Sequence, residues 1–115
     1  MEVKRGDVVQ FDFGPRSDSR MEGPHPAIIV QTDLINSITN YSLTILVAVS
    51  SVGKEMSPSH VKLEPSEENG LTNTCFAKCE QVFTVPKDQI KEVRGSLSKG
   101  EVYRINEALR VVLSL

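Results

Sequence analysis

"YSLTILVAVSSV", Tyr41 to Val52, is the stretch on which the fold turns. From Leu43 to Val49 it is almost unbroken apolar sequence, which reads as a strand covered on both faces and therefore central in its sheet. On its N-terminal side lies "TDLINSITN", a loop with room for one helical turn, and before that a second strand, "HPAIIVQ", His25 to Gln31. Further back, "GDVVQFDF" (Gly6 to Phe13) alternates Val9, Phe11 and Phe13 against Gln10 and Asp12, the pattern of a half-buried strand. Between those two, "GPRSDSRMEGP" (Gly14 to Pro24) holds turn formers and both charge signs without periodicity. It reads as a long exposed loop of the kind that often carries function.

On the C-terminal side, "SHVKLEP" (Ser59 to Pro65) alternates and stops at a proline, and "PSEENGL" supplies a turn. "TNTCFAKCEQVFTV" then gives one long strand, or two with a kink, ended by Pro86. "SLSKGEVYRINEALRVVLSL" is a helix: Ser98 and Glu101 form a capping box, and Val102, Ile105, Leu109, Val112 and Leu113 recur at helical spacing to lay one face on the sheet. The expected class is mostly β, a compact antiparallel sheet or small barrel with a C-terminal α-helix, in one domain over residues 1–115.

With 115 residues, the chain is long enough to bury a core without disulfides or metal. Its formal net charge of −2 argues against a protein that holds nucleic acid by bulk electrostatics, so any basic patch must be local. No apolar run has signal-peptide or membrane-spanning length, and a cytoplasmic, membrane-free protein is expected. Cys75 and Cys79, four residues apart on a strand, would have Cα atoms roughly 13 Å apart, too far for a disulfide. Together with His25 and His60 they match no zinc-ligand spacing. His60 reads as a surface residue, Phe76 and Phe83 as core.

The order "RGDVVQFDFGP", polar loop, "HPAIIVQ", "ILVAVSS", "GLTNTCFAKCEQVFTV" and "INEALRVVLSL" resembles the MazF/PemK family of toxin–antitoxin ribonucleases, from Arg5 to Leu115. The resemblance implies an SH3-like β-barrel with helical additions, a homodimer, and a cognate antitoxin whose disordered acidic tail crosses the Gly14–Pro24 loop near Arg16 and Arg20. DNA would be reached only through the antitoxin. The implied chemistry is metal-independent and cofactor-free cleavage of single-stranded RNA, often mRNA. The ribose 2′-hydroxyl attacks the adjacent phosphate, leaving a 2′,3′-cyclic phosphate and a 5′-hydroxyl. That reaction needs a proton acceptor, a proton donor and positive charge or N–H groups around the phosphorane.

Family members typically carry a catalytic arginine before the proline of the second strand, where this chain has His25. A histidine suits acid–base work, its ordinary pKa being ~6.5, but supplies no permanent charge; alternatively its ring merely packs against the flanking prolines. Arg20 stands where the family commonly has glutamate, and its planar fork of donors could provide the missing phosphate charge, with Arg16 of the same loop expected as a further RNA contact. Ser50 aligns with the family's catalytic threonine and Ser51 follows it; a hydroxyl there could bind a phosphate oxygen, or cap a turn before Gly53. Lys78 and Glu80 fall where some members have an arginine and an aspartate proposed as acid and base, and two apart on a strand they share a face. With aromatics at 5% and no Trp, recognition led by phosphate contacts is expected over stacking of many bases. The alternative from another class is a catalytically weakened member that binds antitoxin or nucleic acid. Topoisomerase poisoning of the CcdB kind rests on shared fold alone.

Overall fold

A computed structural model describes residues 2–115. Six strands, β1 (Asp7–Asp12), β2 (Pro24–Ile29), β3 (Leu43–Ser50), β4 (His60–Leu63), β5 (Cys75–Pro86) and β6 (Ile90–Ser96), form one antiparallel sheet in the order β4-β5-β3-β2-β1-β6. A single turn of helix, α1 (Asp33–Asn36), links β2 to β3, and α2 (Lys99–Leu113) closes the chain.

β3 is central, as its sequence requires, with β5 on one side and β2 on the other. Its alternate residues feed two cores. Val47 and Val49 join Val8, Ile28, Val61, Leu63, Ala77 and Cys79 beneath Ile105 and Ala108 of α2. Leu46 and Ala48 face the other way, with Val9, Phe11, Phe13, Met21, Ala27 and Ile29. β1 is thus used on both faces, not half-buried, because Val8 packs opposite to Val9 and Phe11.

α2 begins with the expected capping box: Ser98 Oγ accepts from Glu101 N–H and Glu101 Oε1 from Ser98 N–H. Glu101 Oε2 also accepts from Asn69 Nδ2, tying the helix start to the β4–β5 connection.

β5 is one strand with a kink. Val47 pairs with Val82 but Ala48 with Lys78, so Cys79, Glu80 and Gln81 bulge and turn the strand's second half across the sheet. β6, to which the sequence reading assigns no element, pairs with β1 through two further irregularities. β4 and β6 are the sheet's two edges and are not paired with each other, so the architecture is a curled, open antiparallel sheet with a terminal helix.

Phe83 packs against the second core, as expected. Phe76 does not belong to either core: it is half-buried, its ring lying against Gly53, where an added Cβ would come within 2.3 Å of it. His60 is not a surface residue. Its side chain is 13% exposed, its Nδ1 accepts from Lys54 N–H at 3.0 Å, and Nε2 lies 3.3 Å from Glu80 Oε2. An accepting Nδ1 leaves the ring proton of a neutral histidine on Nε2, facing the carboxylate.

Candidate active site

The β2–β3 ladder ends at the Ala27–Ala48 pair, and just beyond it His25 and Ser50 both line one pocket. His25 is itself within β2, paired with Phe11, so it is a strand residue and not a loop end. Ser50 pairs on its other side with Phe76, and one row inward Lys78 pairs with Ala48 and His60. Lys78 and Glu80 alternate along β5 with Ala77 and Cys79, which are buried in the core on the other face.

Ser50 is buried, and its Oγ accepts from Val52 N–H at 3.1 Å. The turn-capping role is therefore real, yet it uses a lone pair and leaves the hydroxyl proton to be donated. His25, Ser50 and exposed Ser51 line a pocket of about 210 Å³ together with Gln10, Thr72, Asn73, Cys75 and Arg94.

The other candidates lie elsewhere. Arg20 in the β1–β2 loop is exposed and directs its fork at Asp18, with Nη2 to Oδ2 at 2.8 Å. Hydrogen bonds from that guanidinium, and then from the Arg20 backbone N–H, lower the Asp18 carboxyl to about 2. Arg16 sits 6.0 Å from the Phe83 ring centroid, and its buried Nε has no partner. Neither arginine lines the pocket. Met21 N–H donates to Gln81 Oε1 at 2.6 Å, pinning their loop to the β5 bulge. Glu80, at that bulge, is engaged by His60. Burial raises its carboxyl, but hydrogen bonds from its own backbone, Ser59 and His60 bring it below the ordinary range.

Arg94 is the pocket residue that sequence reasoning missed. β6 shows no clean alternation, since Val93 pairs with Val9 and Gly95 with Val8, leaving Arg94 as the extra residue between them. No local pattern in "IKEVRGS" marks it.

The molecule is thus a curled antiparallel sheet capped by one helix, with a polar pocket at the ends of its central strands. Comparison gives that architecture its family: PemK-like, MazF-like toxins of type II toxin–antitoxin systems match residues 4–113, and the chain belongs to this family. It is 32% identical to the Endoribonuclease MazF of Staphylococcus saprophyticus, over 98% of this chain and 92% of that protein. The Endoribonuclease MazF of Staphylococcus epidermidis is 31% identical with the same coverage. A mycobacterial endoribonuclease solved in complex with its cognate antitoxin shares the fold, with a TM-score of 0.79, 24% identity, and coverage of 98% and 96% of the two chains. MazF of Deinococcus radiodurans superimposes with a TM-score of 0.77 at 17% identity, over 100% of this chain and 99% of that one. At those identities the two structures speak to fold alone.

Proposed function

We propose that this toxin is an endoribonuclease that cleaves single-stranded RNA at the His25–Ser50 end of its sheet. The observation that supports the reading is the shared pocket, lined by an imidazole able to transfer a proton and by a hydroxyl whose hydrogen is free to donate. In this scheme His25 takes the 2′-hydroxyl proton or returns one to the departing 5′-oxygen. Ser50 donates to a non-bridging phosphate oxygen, and Lys78, one row inward, contributes positive charge. The nucleophile is the RNA's own 2′-oxygen, so the protein needs no covalent intermediate. No cofactor enters the scheme.

We read the curled sheet as the SH3-like barrel of the resemblance, open between β4 and β6. The assembly is proposed to be a homodimer, supported by an apolar groove lined by Val30, Ile45, Val82, Leu109, Leu113 and Leu115. The antitoxin is proposed to cross the β1–β2 loop, where Arg16 and, on exchange of its Asp18 partner, Arg20 would meet an acidic segment.

The test is incubation of the purified protein, chelator present, with a long single-stranded RNA, followed by mapping of fragment ends. Cyclic-phosphate and 5′-hydroxyl ends are expected. RNA that is bound but left intact would replace this reading with that of a binding module.

A further inference from the structure

The pocket beside His25 and Ser50 contains a fixed cation that the proposed chemistry has not used. Arg94 stands at a β-bulge, a device that re-aims a side chain out of the strand's alternation. Its Nη1 donates to Gln10 Oε1 at 3.1 Å and its Nη2 to Gly70 O at 3.0 Å. The backbone is held as closely as the side chain. Gly70 has φ +66°, and a Cβ there would come 2.2 Å from the Arg94 carbonyl oxygen, so only glycine lets the 64–70 segment press against the bulge. Two N–H groups of the guanidinium are engaged, and the rest of its fork is left for a ligand.

Two facts give the site its chemistry. Among the described residues no carboxylate forms an ion pair with Arg94, although the chain as a whole is acidic. Its neighbours on the pocket wall are neutral donors, the hydroxyls of Ser51 and Thr72 and the amide of Asn73. A half-buried, uncompensated guanidinium among hydroxyls and an amide suits an anion, and the planar fork matches phosphate. Size narrows the occupant. At about 210 Å³ the pocket lies below the ~300 Å³ where small-molecule sites begin, a size that suits a single phosphate group.

Resting on the ribonuclease reading above, we propose that Arg94 binds a backbone phosphate of the RNA adjacent to the cleaved linkage, supplying here the permanent positive charge that His25 lacks. Arg94 positions the strand, and His25 and Ser50 act on the bond.

The experiment measures binding of an uncleavable 2′-O-methyl RNA oligonucleotide spanning the mapped cleavage site, as a function of salt, for the wild type, Arg94→Gln and Arg94→Lys. Each phosphate contact contributes about −0.7 to the slope of log K against log salt for a single strand. Arg94→Gln should weaken binding about 10- to 100-fold and flatten that slope by about 0.7. Arg94→Lys should keep the slope while binding less tightly, which also controls for a fold weakened by the Gln change. Adding His25→Arg to Arg94→Gln should restore cleavage in part. An unchanged slope in a folded Arg94→Gln protein overturns the proposal and makes Arg94 a structural clamp. Relaxed base preference at one position, with the slope kept, overturns it in favour of base reading. A wild type that binds the 2′-O-methyl oligonucleotide but does not cleave its unmethylated counterpart removes the ribonuclease reading while leaving the slope test of Arg94 to stand; one that binds neither removes both.

Discussion

His25 and Ser50, on the neighbouring strands β2 and β3, line one pocket although 25 positions separate them in the chain. Neighbouring strands are separated by about 4.8 Å, so an imidazole and a hydroxyl placed this way can act on one phosphodiester. Replacing His25 by Ala should lower the cleavage rate about 10²–10⁴-fold, the range for losing a general acid or base. Ser50→Ala should slow it by less, because one hydrogen bond is lost. His25→Arg should keep activity while removing any bend in log rate between about pH 5 and 8, the interval in which histidine side chains change charge. Initial rates on a defined RNA across that pH range decide the matter; a His25→Ala protein with the wild-type profile would remove His25 from the chemistry.

Glu80 sets an acid limit on stability. Despite burial, which raises it, the carboxyl is held below its ordinary 4.5 by hydrogen bonds from its own backbone, Ser59 and His60. A group with a depressed folded pKa stabilises above its unfolded value, and that contribution is lost as pH falls through the folded one. Melting temperature should therefore fall below about pH 4.5, and Glu80→Gln should flatten part of that fall. Thermal melts of both proteins from pH 3 to 7 check the sign.

The cysteines are expected to be silent in the folded protein. Burial, aided by the charge of Glu80, pushes the Cys79 thiol up to about 12. Burial likewise raises Cys75, with Arg94 opposing it. At pH 8 a disulfide-exchange reagent should label neither thiol until denaturant is added, since the thiolate is the reactive form. Rapid labelling of the native chain at Cys75 would show that the pocket wall opens.

Asn69 holds the segment that carries Leu71, Thr72 and Asn73 to the pocket. It is fully buried; its Oδ1 accepts from Ser66 and Leu71 N–H, and its Nδ2 donates to Glu64 O and Glu101 Oε2. Asn69→Ala leaves several of these groups without partners and should destabilise the fold by about 2–4 kcal/mol. Urea unfolding measures this directly, and RNA binding at the pocket should weaken in the same variant.

The dimer can be tested through Val82, which is 40% exposed and lines the apolar groove with Leu113 and Leu115. Val82→Glu should shift the mass in light scattering from dimer towards monomer at micromolar concentration. A wild type that is monomeric there removes the proposed assembly.

The sequence by itself determined what is local and periodic. The apolar run Leu43–Val49 required a central strand, the alternation in Gly6–Phe13 and Ser59–Pro65 required sheet, and Ser98 with Glu101 required a helix start, because side-chain period and capping chemistry are written in neighbouring residues. His25 and Ser50 were legible as candidates from the resemblance. That they line one pocket was decided by the pairing of β2 with β3, a long-range contact that no local pattern records. Tertiary structure alone decided the role of β6. Its bulges break the period by which a strand is recognised, and the same irregularity turns Arg94 towards Gln10 and Gly70. His60 is enclosed, against expectation, because the Val52–Ser59 loop folds back on it with Lys54 bonding the imidazole, and Phe76 leaves the expected core to pack its ring on Gly53 of that loop. Burial of that kind depends on which distant segment arrives, not on the residue's own neighbours in the chain.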